Sequence, residues 1–217
     1  LRIVYIMSDG GALPLAYSRH AAYLRSGGWI DAAVTYGHAY GGDLETMNKF
    51  TALIAAKHAA GADIAIVAMG PGIAGTGTEL GHTGVETGEI VNAAFRLGGS
   101  PILVPRISFA DPRERHCGIS HHTLSVLRTV VCAPIELVLP AELEEHEKRR
   151  IVEQLAELPE YPLRWVANVR KADIARALDR LGLPVTTMGR TFADDPAFFL
   201  AVAAAAERAL EIRAGLS

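Results

Sequence analysis

Residues 64–84 read IAIVAMGPGIAGTGTELGHTG, and the first six of them, Ile64 to Met69, are apolar without interruption. A half-exposed strand alternates apolar and polar residues; a strand covered by helices on both faces of a parallel sheet does not. A glycine-rich turn follows, and then the spacing predicts a helix over 87–97, closed by Gly98. Working outward, the same order of strand, loop and helix recurs. Strand-length runs lie at 3–7, 32–35 and 102–104, and helical spacing over 15–25, 44–60 and 123–131, with Gly27 and Gly61 expected as left-handed caps. Further strands are expected at 136–139, 164–168 and 185–187, and helices over 142–156, 172–181 and 196–212. The predicted class is α/β: a doubly wound, mostly parallel, Rossmann-like sheet with helices on both faces. One domain is expected over 1–217. Because a strand-like run begins almost at Leu1, the chain reads as the C-terminal part of a longer protein.

Composition narrows the function. Half of the 217 residues are hydrophobic, enough for a substantial core. The formal net charge is -3, so the chain lacks the positive field that draws proteins onto phosphate backbones, and nucleic acid is not an expected partner. Cys117 and Cys132 form neither a CxxC pair nor a zinc-type spacing, which fits a reducing compartment. The longest uncharged apolar run, Ala197 to Ala206, is about half of what a bilayer-spanning helix needs, and the first residues carry no signal-peptide pattern. A cytoplasmic protein without a membrane partner is expected. The alanine-rich run is expected to be a core helix or a close-packed contact in a homo-oligomer.

In an open parallel sheet, ligands bind outside the carboxyl ends of the strands, so the loops that follow the strands carry the argument. After the first comes Ser8-Asp9-Gly10-Gly11; after the second, Tyr36-Gly37-His38-Ala39-Tyr40-Gly41-Gly42-Asp43; after the third, Gly70 to Gly84; after the fourth, Arg106 to His122. Five of the eight histidines fall in these loops. The third holds six glycines in fifteen residues. Exposed backbone N–H groups ahead of a helix favour an anion, which makes Gly72, Gly75, Thr76, Gly77 and Thr78 candidate ligand contacts beside Asp9 and His38. It is not a Walker loop, because no Lys-Ser/Thr pair ends it. Its bland reading is a long turn with left-handed glycines.

The fourth loop, RISFADPRERHCGISHH, gathers arginines and histidines around Asp111. Arginine forks suit carboxylate or phosphate, and histidine suits proton transfer near neutral pH. Arg113 and Arg115 are candidate anion contacts; His116 and His122 are candidate acid or base residues, oriented by Asp111. The bland alternative is a turn opened by Asp111-Pro112, with Ser120 capping a helix. Asp194 and Asp195 read as a helix cap, and Gly189-Arg190 as able to reach the same crevice. No residue is assigned to a metal, since HExxH, CxxC and EF-hand patterns are all missing, and the sequence leaves any cofactor unknown. His121 and His122, adjacent on a helix, are expected to point roughly 100° apart and not to share an ion.

At MSDGGALPLAYSR, TYGHAYGGDLE, GPGIAGTGTELGHTG, RISFADPRERHCGISHH and MGRTFADDPAFF the chain resembles a bacterial family, domain of unknown function 3866, across nearly its whole length. The resemblance implies that these residues act as a set but names no reaction. Three readings stay open. The first is a protein binding a small anionic or phosphorylated metabolite in a crevice at the strand ends, with histidine acid–base chemistry. The second is a non-catalytic regulatory or assembly domain. The third is a metal-dependent hydrolase using His38, Asp43, His82 and His116.

Overall fold

The computed structural model describes residues 1–69 and 72–215. Gly70 and Pro71, which open the glycine-rich loop, and Leu216 and Ser217 lie outside the described residues. The chain divides into two compact units, Leu1–Ser100 and Pro101–Ser217.

In the first unit, β1 (Ile3–Ser8), α1 (Arg19–Ser26), β2 (Ala32–Tyr36), β3 (Leu44–Thr46), α2 (Lys49–Ile54), β4 (Ile64–Met69) and α3 (Val85–Arg96) follow one another. The strands form a parallel sheet in the order β3-β2-β1-β4. Side chains alternate across a strand, and the packing follows. Val4, Ile6, Val34 and Tyr36 bury against Ala52 and Ala56 on one face; Met7 and Ala33 bury against Leu15 and Ala21 on the other. Helices therefore cover both faces, the doubly wound arrangement that the sequence predicts. β4 departs from the expectation of double burial: it is an edge strand, and Ile66 is 48% exposed.

The link from β2 to β3 is short for two parallel neighbours, which ordinarily need a crossover of a dozen or more residues. The chain turns back tightly after β2. Asp43 N–H donates to Ala33 O at 2.8 Å while Asp43 Oδ2 accepts from Ala33 N–H at 2.8 Å. A Cβ on Gly42 would sit 2.8 Å from Thr35 N and 2.9 Å from Leu44 O, so only glycine fits. The helix expected over 44–60 accordingly starts late, at Lys49, where Asn48 and Thr51 form a capping box. Gly27 is right-handed with φ −82°, and the left-handed cap falls on Gly28 at φ +70°.

The second unit contains a short antiparallel pair, β5 (Ile107–Ser108) with β6 (Gly118–Ile119), and a parallel pair, β7 (Leu137–Pro140) with β8 (Leu163–Val166). Its helices are α4 (His121–Thr129), α5 (Glu145–Leu155), α6 (Lys171–Leu181) and α7 (Pro196–Arg213). α7 starts with proline at its first turn, where a missing N–H costs nothing. It packs on β5, β7 and β8, with Leu200, Ala201 and Ala204 fully buried. The alanine-rich run is thus a core helix. Residues 102–104 form no strand: Pro101 and Pro105 flank them, and proline cannot donate to a sheet ladder. The expected strand at 185–187 shrinks to a single bridge, Thr187 with Arg190. Among the described residues no helix is long and apolar enough to cross a membrane.

Candidate functional site

The segment Arg106–His122 does not extend from a strand of the parallel sheet. It lies in the second unit, folded around the β5–β6 pair. Gln154 of α5 holds its far end: Oε1 accepts from Ile119 N–H at 2.8 Å, and Nε2 donates to Cys117 O at 3.1 Å and Ile119 O at 3.2 Å. Gly118 is left-handed at φ +78°, and a side chain there would collide with that amide. On the near side, Ser120 N–H donates to Arg106 O at 2.8 Å. The loop is pinned at both ends.

Within it, three arginines close on one carboxylate. Asp111 Oδ1 accepts from the backbone N–H of Arg113 at 3.1 Å and from its Nε at 2.9 Å; Oδ2 accepts from Arg113 Nη2 at 2.8 Å, Arg190 Nη2 at 3.2 Å and Arg106 Nη2 at 3.5 Å. The Asp111 side chain is fully buried. Hydrogen bonding to Arg113 holds its pKa well below the usual carboxylate range. A second buried carboxylate, Asp195, accepts from Ser108 Oγ at 2.7 Å and Arg190 Nε at 3.0 Å, both at Oδ2. Its Oδ1 is buried without a hydrogen-bond partner among the described residues. Arg106 also donates to Thr187 Oγ1 at 3.2 Å and lies 5.9 Å from the centroid of Phe198. Burial lowers its pKa, with Asp111 acting in the opposite direction.

Arg190 is aimed by a strained turn. Thr187 and Arg190 exchange both backbone hydrogen bonds, at 2.8 and 2.9 Å. Between them Met188 takes φ +49°, uncommon for a residue with a side chain, and Gly189 takes φ +79°. Asp195 makes no side-chain cap for α7; Asp194 instead accepts from Thr191 N–H and Oγ1 at 2.9 and 2.7 Å. The sequence reading of both aspartates as helix caps is thereby corrected, because Asp195 turns inward to the arginine cluster.

The histidines lie beside the arginines. His116 is buried, and its Nδ1 meets Ser120 Oγ at 2.8 Å. Ser120 stands at the start of α4 but its side chain makes no cap bond there; its hydroxyl meets His116. Ser120, not Asp111, holds the His116 ring; the Asp111 carboxylate is committed to guanidinium groups, while its backbone N–H donates to Ser108 Oγ at 3.2 Å. Burial, with Arg113 and His121 adding to it, pushes the His116 pKa down to about 4, so the ring is neutral at pH 7. Ring centroids lie 4.9 Å apart for His116 and His121, 5.5 Å for His116 and His122, and 4.0 Å for His121 and His122. The expected divergence of the neighbouring pair is overturned: backbone directions differ by about 100°, but the two imidazoles of the first helical turn fold toward each other. Arg115 is exposed.

In the first unit, Asp9 and His38 meet at the carboxyl ends of β1 and β2. Asp9 Oδ1 accepts from His38 N–H at 2.5 Å and lies 3.4 Å from Nδ1. Tyr36 donates to Glu86 Oε1 at 2.6 Å, and burial followed by that bond raises the tyrosine pKa. Asp43 is held by Ala33 N–H and Arg25. The glycine-rich loop closes on itself. Thr76 N–H donates to Gly81 O at 2.7 Å and Thr83 N–H to Ala74 O at 2.8 Å; the hydroxyls of Thr76 and Thr78 meet at 2.9 Å. Gly72 is left-handed at φ +101°, and Gly75 pairs with His82 across the turn. Thr76, Gly77 and Thr78 are exposed. Burial lowers the His82 pKa.

Sequence reasoning did not reach Ser108 or Thr187, read Ser120 only as a helix cap, and missed the inward role of Asp195. The available signal was the unusual Met188-Gly189-Arg190 turn, whose partners lie about eighty residues away.

A doubly wound α/β unit, followed by a unit that carries a buried arginine–carboxylate cluster beside three histidines, is the class of protein that fold and site define. The chain belongs to the family described as protein of unknown function (DUF3866), which matches residues 1–206. Neither a curated protein nor a solved structure matches it.

Proposed function

We propose that the second unit binds a small anionic metabolite, bearing a phosphate or carboxylate group, on Arg106, Arg113 and Arg190. One observation carries the reading: three guanidinium groups meet two carboxylates, Asp111 and Asp195, which leaves a surplus positive charge. Each guanidinium offers five N–H donors, and the side-chain bonds described above engage fewer than half of them. A buried ion network that served stability alone gains most when charge and donors are balanced. Here the imbalance favours an incoming anion with several acceptor oxygens. Arg113, with 43% of its side chain exposed, supplies the approach from solvent. Neutral His116 adds no charge of its own.

A thermal-shift screen with phosphorylated metabolites, carboxylates and nucleotides tests this reading, run on metal-free protein beside Arg113→Ala and Arg190→Ala. A ligand at about 100 times its Kd stabilises by roughly 2.7 kcal/mol, and both substitutions are expected to remove the shift. If every anion leaves the melting temperature unchanged, or if both variants respond as the parent does, the reading fails.

A further inference from the structure

The geometry points to a binding site for one divalent transition-metal ion, of the zinc class, on His116, His121 and His122. Each imidazole offers one ligand nitrogen, and the three nitrogens lie within 4.8 Å of one another. Among the described residues this is the group of histidine, cysteine and acidic side chains that can surround an ion. Three protein nitrogens leave a fourth position open, as in zinc sites that handle a water or substrate. An all-imidazole set suits zinc, cobalt, nickel or copper; magnesium and calcium prefer oxygen.

The surroundings prepare these ligands. A metal-bound histidine commonly engages a partner through its second ring nitrogen, which fixes the ring's orientation. His116 has that arrangement: Nδ1 is held by the fully buried Ser120 at 2.8 Å, which leaves Nε2 for the ion. The chain between His116 and His121 is fixed by Gln154 through Cys117 and Ile119. His121 and His122 follow at once on the first turn of α4, which is anchored by Ser120 N–H on Arg106 O. The three nitrogens then have to close only from within 4.8 Å to the spacing that Zn–N bonds of about 2.0–2.1 Å allow. The neighbouring arginines add a condition: their positive charge favours filling the open position with an anion, hydroxide or a ligand oxygen.

The probes are Zn2+ and Co2+, added to chelator-stripped full-length chain in phosphate-free buffer. One equivalent of Zn2+ is expected by calorimetry, and Co2+ is expected to give the visible absorption of a low-coordinate centre. His122→Ala, on a half-buried ring, is expected to weaken binding at least about tenfold, a loss near 1.4 kcal/mol, and Ser120→Ala to weaken it less. His116 is buried, so its substitution can fail to fold; Co2+ broadening of amide signals in the unaltered protein provides the second measurement. Broadening centred on residues 116–123 supports the site. Substoichiometric binding, broadening centred elsewhere, or unchanged affinity in folded His122→Ala overturns it. Because this titration holds no phosphate and the anion screen holds no metal, each reading can fail without the other.

Discussion

The loop of residues 72–84 turns its polar groups on itself. Thr76, Thr78, Gly81 and Thr83 bond within the loop, across at most nine residues. The cluster around Asp111 is built the other way. Ser108, Asp111, Arg190 and Asp195 arrive from segments up to 87 residues apart, and its buried carboxylates are paid for by a surplus of cations. The glycine-rich loop is conspicuous in sequence because tight turns need glycine. The arginine cluster is inconspicuous because its members are ordinary residues in separate places. The loop is a local, exposed turn, whereas the cluster is a long-range convergence around buried carboxylates that leaves guanidinium donors unspent.

The contrast is sharpest in stability. Asp111→Ala strips a fully buried carboxylate from three guanidinium groups, and removing one partner of a buried ion network typically costs about 3–5 kcal/mol. Urea unfolding measures it, and a loss below about 1 kcal/mol would place the cluster among exposed pairs. Gly42→Ala in the first unit is expected to cost about 1–3 kcal/mol, because the added methyl meets backbone atoms that cannot yield without moving two strands. A neutral result there would contradict the tight return after β2.

Acid should separate the two regions further. The folded-state pKa of Asp111 lies below its ordinary value of 3.8. Its stabilisation is therefore fully present above about pH 4 and is lost as pH falls through the folded value, since the unfolded chain takes up the proton first. Asp111→Asn is expected to flatten that acid limb, as read by thermal melts below pH 5; an unchanged profile would show that another group sets it. The smallest effect belongs to the glycine-rich loop. Thr76→Ala removes hydrogen bonds from an exposed turn and is expected to cost about 0.5–1.5 kcal/mol, with anion affinity unchanged.

The first unit was largely legible from sequence. Apolar runs at 3–7, 32–35 and 64–69 coincide with strands, because strand length and apolar content are local properties. The short β3 at Leu44–Thr46 was hidden inside a helical spacing, and the Asn48 capping box marks where the helix begins. The second unit was harder to read. Its strands are two to four residues long, and Pro101 and Pro105 silence an apolar run that otherwise looks like a strand. The arginines, Asp111 and His116 stood out as a cluster. The place of Arg190 after the last expected strand lets it be read as reaching the same crevice, whereas the inward turn of Asp195 and the pairing of His116 with Ser120 are tertiary facts that no local pattern carries.

The most direct test of anion binding on the arginines is a two-dimensional nitrogen–proton NMR titration with inorganic phosphate, following arginine Nε–H and backbone amide signals together. The account predicts that the Nε–H signals of Arg113 and Arg190 move saturably while the amides of Thr76, Gly77 and Thr78 stay in place. Saturable movement of the loop amides with silent arginines would contradict it.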